Sequence, residues 1–333
     1  MHVLVTGAAG FIGYHCAEAL LARGEDVLGI DRLDDYYDVA LKEARLARLR
    51  DHRRFSFIRA DVSDREAMLA LAARGDIDRI VHLAAQAGVR HSMLDPYAYV
   101  QSNVMGQVVM LELCRRLPAL RHFCYASSSS VYGLNRTLPF EESARVDQPS
   151  SLYAATKRAA ELSSFAYSHL YGIPQTGLRF FTVYGPWGRP DMAYYAFARA
   201  IMAGEPIGLY EGGRLRRDFT YIDDIVAGVL GALDRPPAGD APLVLNIGNH
   251  RSEPVSKLVS LLEQALGRRA IVRDLPRPAS DVEATFASLD EIGRLTGYAP
   301  TTTLETGIPR FADWFLDFHG FAKKGVDPGR PHP

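Results

Sequence analysis

"HVLVTGAAGFIG", residues 2–13, joins a short run rich in β-branched residues to three glycines spaced three apart. Its first half reads as a strand, and "YHCAEALLARG" (14–24) repeats its apolar positions at helical period. Gly7, Gly10 and Gly13, with Phe11 and Ile12 between the last two, therefore fill a strand-to-helix turn. Glycines there permit a tight turn, close approach of backbone to a pyrophosphate, and close helix–strand packing. Alone such a triplet is a weak signal. Here Asp31 strengthens it by ending the next strand, "DVLGID" (26–31). The stretch predicts a dinucleotide site. Asp31 can accept from both ribose hydroxyls of NAD and would repel a 2′-phosphate, which Arg32 would instead welcome. Asp31 holds the strand end, so NAD is the expected cofactor.

Outward from this turn, strand-like and helical runs alternate. "DVALKEARLARL" (38–49) reads as a helix, "FSFIRADV" (55–62) as a strand, "REAMLALAARG" (65–75) as a helix and "RIVHLAA" (79–85) as a strand. A long helix over 97–117, the strand "HFCYASS" (122–128), a helix over 152–171 and the strand "QTGLRFFTVYG" (175–185) follow. This order predicts an α/β fold: a Rossmann-type, doubly wound parallel sheet with helices on both faces. After residue 185 Pro and Gly become frequent, and helices at 191–204 and 256–267 stand between irregular loops. The texture predicts a smaller, discontinuous α/β substrate domain over 185–218, 249–280 and 296–325. The dinucleotide domain would span 1–184, with segments returning near 219–248 and 281–295. The Pro/Gly-rich tail at 326–333 is expected to fray.

Apolar residues make up 47% of the 333 and charged residues 23%, an ordinary balance for a globular protein. With 38 basic against 39 acidic residues there is no basic excess, and no nucleic-acid partner is expected. "RLARLRDHRR" (45–54) reads as a helix with a solvated face. Cys16, Cys114 and Cys124 fit no zinc spacing, so no metal is expected, and buried free thiols in a reducing cytoplasm are. No apolar run approaches ~18 residues, so no membrane span is expected. The opening residues carry no basic region or cleavage site, and no secretory signal is expected.

"SLYAATKRAAEL" (151–162) places Tyr153 and Lys157 four apart on one helix face. A nearby ammonium and a positive nicotinamide ring both favour phenolate, so Tyr153 is a candidate base and Lys157 its assistant. Lys157 can also bond the nicotinamide ribose. "YASSSSVYG" (125–133) puts four serines at the end of a strand, on the carboxyl edge where open α/β sheets bind ligands. Asp61 and Val62 are placed for adenine, and Leu83, Ala84 and Ala85 for the length of the cofactor, unless they only pack a strand end. His82 reads as a packed strand residue.

On "TGAAGFIG", "DDYYDVALKEARLARL", "HLAAQAGVRHS", "YASSSSVYG", "SLYAATK", "LRFFTVYGPWGRPDMA" and "RRDFTYIDDI", the chain resembles the extended short-chain dehydrogenase/reductase family. Within it, the motifs are most similar to the branch of UDP-glucuronate 4-epimerases, from residue 1 to about 315. The resemblance implies bound NAD, a UDP-sugar substrate, and a homodimer joined through a four-helix bundle of the helices near 97–117 and 152–171. It implies that Ser128 is the catalytic hydroxyl beside Tyr153 and Lys157. Sugar-nucleotide dehydratases hold an Asp–Glu pair where this chain has Ser129 and Ser130, and decarboxylases making UDP-xylose hold Glu at the second place. Neutral hydroxyls cannot do that acid–base work.

Further residues follow by the same likeness. Arg189 falls at the sugar carboxylate, before a helix expected to have Pro190 at its first position; the competing reading is an ion pair with Asp191. Ser129, Ser130 and Thr182 would give the sugar uncharged contacts. Arg217 falls at the diphosphate, or pairs with Asp218 or Asp223. Asp281 matches a UDP-ribose contact, although "PASDV" stands where the family has Pro-Gly-Asp-Val and Ser288 where Asp is common. Arg90 fits either the sugar pocket or the dimer seam. Three rival functions stay open: a 4-epimerase of neutral UDP-sugars, which would not need Arg189, a UDP-glucuronate decarboxylase, and a non-catalytic NAD-sensing protein, which would not need Tyr153 and Lys157.

Overall fold

The computed structural model describes residues 2–239, 241–278 and 282–321; Asp281 and the tail at 326–333 lie outside them. Strand β1 (His2–Thr6) leads into α1 (Phe11–Ala22), followed by β2 (Asp26–Asp31), α2 (Val39–Arg50), β3 (Phe55–Arg59), α3 (Arg65–Ala70) and β4 (Ile77–His82). Next come α4 (Pro96–Tyr99), a π-helical turn (Val100–Met105), α5 (Gly106–Cys114), β5 (His122–Ser128) and α6 (Leu152–Tyr171). Then follow β6 (Gln175–Phe180), β7 (Thr182–Tyr184), α7 (Ala193–Ala203), β8 (Pro206–Tyr210), β9 (Arg216–Tyr221) and α8 (Ile222–Leu233). The described chain closes with β10 (Leu243–Ile247), β11 (Ser252–Pro254), α9 (Val255–Leu266), β12 (Ile271–Leu275), α10 (Asp290–Thr296) and α11 (Leu304–Phe318).

Seven strands pair in the order β10-β6-β5-β4-β1-β2-β3, every pair parallel. Parallel strands covered on both faces need near-continuous apolar runs, and Val3, Leu4 and Val5 of β1 are fully buried. Strand order reverses between β1 and β4, which opens a crevice at the carboxyl ends of the strands. Gly7, Asp31, Leu83 and Ser128 stand at those ends. Two smaller sheets, β11-β9-β7 and β12-β8, come from the second half of the chain.

Four expectations change. The run 175–185 is two strands in different sheets. Phe181 donates its N–H to Ile247 at 3.0 Å, and Thr182 then pairs with Phe219 of β9. Both halves are apolar, so the switch is set by which partner each meets. The helix expected over 97–117 is α4, a π turn and α5, ending at Cys114. The helix after Arg189 begins at Ala193, with Met192 at its N-cap, so Pro190 and Asp191 lie in the turn before it. Finally, α2 does not present all its arginines to solvent: Arg45 is fully buried, as is most of Lys42.

Candidate active site

A continuous cavity of roughly 1030 Å³ runs along the carboxyl edge of the large sheet and under the β8 and β9 strands. Its dinucleotide end is built on backbone that tolerates no side chain. Gly7 has φ +72°, and a Cβ there would lie 2.8 Å from the amide nitrogen of Ala84. A Cβ on Gly13 would lie 2.0 Å from the Gly7 carbonyl oxygen. Thr6 Oγ1 accepts from Ala84 N–H at 3.2 Å and meets His82 Nδ1 at 2.7 Å, which fastens the loop after β4 to the glycine turn. Burial and the charge of Lys157 push His82 down to about 3, so its ring is neutral, a packed strand residue. Gly10, Phe11, Ile12, Leu83, Ala84 and Ala85 line this end.

Asp31 accepts from Leu33 N–H at 2.8 Å and Ala9 N–H at 3.1 Å, leaving one lone pair on each oxygen for a ribose diol. Burial raises its pKa against those two bonds. Arg32 is already taken: it pairs with Asp34 and, at 3.0 Å, with Asp61. The cradle without side chains, the acidic strand end and the occupied arginine fit a dinucleotide lacking a 2′-phosphate. Asp61 and Val62 line the same wall.

The four serines divide their work. Ser127 donates to buried Glu161, which also holds Arg179 through paired contacts at 2.8 and 2.9 Å. Ser128 ends β5 in extended backbone, and its Oγ accepts from Ser130 N–H at 3.2 Å. Ser129 and Ser130 open a 3-10 turn that lines the cavity. Opposite them, on α6, stand Tyr153 and Lys157.

Burial raises the phenol of Tyr153, against a hydrogen bond with Ser128 and the positive charge of Arg189. Lys157 Nζ donates to the carbonyl oxygen of Ala126 at 2.9 Å, and burial together with the positive charge of Arg189 pushes it down to about 8.

Arg189 lines the cavity and pairs with Asp191 at 3.2 Å; Asp191 in turn accepts from Tyr36 at 3.4 Å. Thr182 and Arg217 also line it, and Arg217 donates to the Arg216 carbonyl at 2.7 Å. Asp218, offered as a partner of Arg217, is buried and accepts instead from Asn249 N–H and Ala287 N–H. Arg90 lies over the Tyr210 ring at 4.9 Å on the cavity wall. Asp281 lies outside the described residues.

Two groups went unnoticed in the sequence. Asn103, in the π turn, accepts from Gln86 N–H and donates to the Gln86 carbonyl and to Thr156, joining the loop after β4 to α6. An asparagine inside a helical run, where its side chain competes with the backbone, was the available signal. Arg45 is the other.

Fold and cavity together define a dinucleotide-binding α/β protein with a Tyr–Lys pair facing a strand-end serine. The chain belongs to the NAD dependent epimerase/dehydratase family, whose model matches residues 3–248. It is 48% identical over 340 residues to UDP-glucuronate 4-epimerase 3 of Arabidopsis thaliana, covering 97% of this chain and 78% of that one. The crystal structure of UDP-glucuronic acid 4-epimerase from Bacillus cereus with UDP-glucuronic acid and NAD superposes with a TM-score of 0.89 at 34% identity, covering 96% of this chain and all of that one. UDP-glucose 4-epimerase of Thermotoga maritima, with UDP-glucose, has a TM-score of 0.84 at 28% identity, covering 96% of this chain and 100% of the other.

Proposed function

We propose that this chain is an NAD-dependent 4-epimerase that interconverts UDP-glucuronate and UDP-galacturonate. NAD, when bound, supplies a reversible hydride acceptor at its nicotinamide ring. Tyr153 takes the proton of the carbon-4 hydroxyl, with Ser128 bridging sugar and phenol, and later returns it. Lys157, on the same helix and held at the Ala126 carbonyl, assists by favouring the phenolate. The 4-keto sugar turns about its diphosphate, gripped by Arg217, and is reduced from the other face, so carbon 4 is inverted. Ser129 and Ser130 carry no acid, so water is not eliminated.

The 4-keto uronate holds its carboxylate β to a ketone. The carbon 5–carbon 6 electron pair can flow toward that ketone as carbon dioxide leaves, with a proton then added at carbon 5. This requires the breaking bond to stand perpendicular to the carbonyl plane. Arg189 grips the carboxylate and denies that alignment.

The observation that carries the reading is one cavity lined together by Ser128, Tyr153, Lys157 and Arg189. The relatives at 48% and 34% identity support it. Incubation with UDP-glucuronate, followed by NMR of the products, tests it: UDP-galacturonate is expected, whereas UDP-pentose alone or unchanged substrate overturns it. The Arg189–Asp191 pair favours a second reading, a 4-epimerase of neutral UDP-sugars, because it leaves the cation already answered. Arg189→Leu decides. A fall of ~100-fold in kcat/KM for the uronate supports the first reading, and unchanged kinetics the second.

The dinucleotide is assigned to 1–184 with 219–248 and 281–295, and the UDP-sugar to the remaining segments. A homodimer is proposed through the helices from Pro96 to Cys114 and α6. Phe165 is 58% exposed, and Tyr97, Met105 and Leu162 on the same helices are also bare, the kind of apolar side chain that a partner copy would cover. Sedimentation at two masses of the chain is expected. No helix among the described residues is long and apolar enough to cross a membrane. Three buried, unpaired thiols support work in a reducing cytoplasm.

A further inference from the structure

We propose that Arg45 is the positioning residue that sets Arg189 in the cavity, assisted by His15. The inference rests on the reading of Arg189 as the carboxylate clamp. Arg45 is fully buried on α2, and no carboxylate lies within ion-pair distance of it among the described residues. A guanidinium in such a place is tolerated only when its N–H groups all find acceptors. Every donor of the fork does. Nε and Nη2 donate to the Trp187 carbonyl at 3.0 and 2.6 Å, and Nη2 also to the Gly188 carbonyl at 3.0 Å. Nη1 donates to the Ala9 carbonyl and to Tyr37 Oη, both at 2.8 Å.

Most of this effort falls on the two carbonyls just before Arg189. The carbonyl before them, Pro186, meets His15 Nε2 of α1 at 3.1 Å. Burial pushes His15 down to about 4, so its neutral ring donates from Nε2. Residues 186–188 therefore each give their carbonyl to a side chain of α1 or α2. The segment needs such holding. Trp187 has φ +60°, a strained value for a residue with a side chain, and a Cβ on Gly188 would lie 1.7 Å from Tyr194 Oη. The remaining bonds, to the Ala9 carbonyl and Tyr37, fix the guanidinium itself.

The test uses Arg45→Lys and, independently, His15→Leu, each in a Tyr153→Phe background that stops turnover, with bound NAD measured after release. Calorimetric titration gives dissociation constants for UDP-glucuronate and UDP-glucose. A lysine cannot reach all these acceptors, so Arg189 should shift. The preference for the uronate should fall by ~10-fold while NAD content stays within about twofold of the parent. A merely structural Arg45 would weaken both sugars alike. An unchanged preference in folded Arg45→Lys overturns the inference. Should that variant not fold, His15→Leu decides by the same ratio, with a fall of about threefold expected and no change overturning it. A parent protein that binds both sugars equally refutes the clamp, and this inference with it. A parent preference that survives the substitution refutes this inference alone.

Discussion

Ser127 donates its hydroxyl to Glu161 Oε1 at 2.6 Å, inside a buried cluster that also holds Arg179 and Arg158. Its neighbour Ser128 accepts instead from Ser130 N–H at 3.2 Å, beside the cavity that Tyr153 also lines. Successive side chains of a strand point to opposite faces, so one residue of advance along β5 separates support from chemistry.

Ser127→Ala removes a bond to a buried carboxylate. It should lower stability by about 1.5–3 kcal/mol and leave kcat near the parent value. Ser128→Ala should do the reverse, with stability nearly unchanged and kcat down by ~100-fold. Urea unfolding and steady-state kinetics on the pair of variants check both halves.

Lys157 carries its charge where burial and Arg189 oppose it, so it titrates near 8 rather than at 10.5. Between those values the unfolded chain binds a proton that the folded one does not. Stability contributed by this group therefore rises with pH across that window, and the penalty is complete below about 8. In NAD-free protein, Lys157→Met should gain on the order of 2 kcal/mol at pH 7, after losing the bond to Ala126, and little at pH 10. It should also abolish turnover. Unfolding at the two pH values measures the gain.

Gly13→Ala would force a methyl group to 2.0 Å from the Gly7 oxygen, whereas Gly10→Ala meets that oxygen at 3.0 Å. The first should cost roughly 3 kcal/mol and strip bound NAD; the second should be clearly milder. Absorbance of released cofactor and melting temperature rank them.

Asn103→Ala leaves the buried N–H and carbonyl of Gln86 without the partner that satisfies both. A loss of about 2–3 kcal/mol is expected by urea unfolding, with weaker NAD binding because the loop after β4 loosens.

What was legible in the sequence is local. The glycine turn, Asp31 at its strand end, "HFCYASS" ending at Ser128 and the Tyr153–Lys157 spacing each announce themselves within a few residues, and the structure gathers them round one cavity. What was hidden depends on distant partners. Helical period shows that Arg45 shares a face with Leu41 and Leu49, but not that carbonyls 142 residues away wait for its donors. The run through Phe181 reads as one strand because both halves are apolar, and only Ile247 and Phe219 divide it. Likewise, spacing put Lys157 beside Tyr153, while the direction of its ammonium was decided by the Ala126 carbonyl across from α6.

Strand β10 covers the outer edge of β6, and it is made last of the seven. While the ribosome is still working through the preceding residues, β6, buried along its whole length in the finished molecule, has one side bare. Uncovered edges recruit other chains. A messenger cut short before Leu243 should thus yield clumped polypeptide that chaperones must shelter, rather than a shortened enzyme with residual activity.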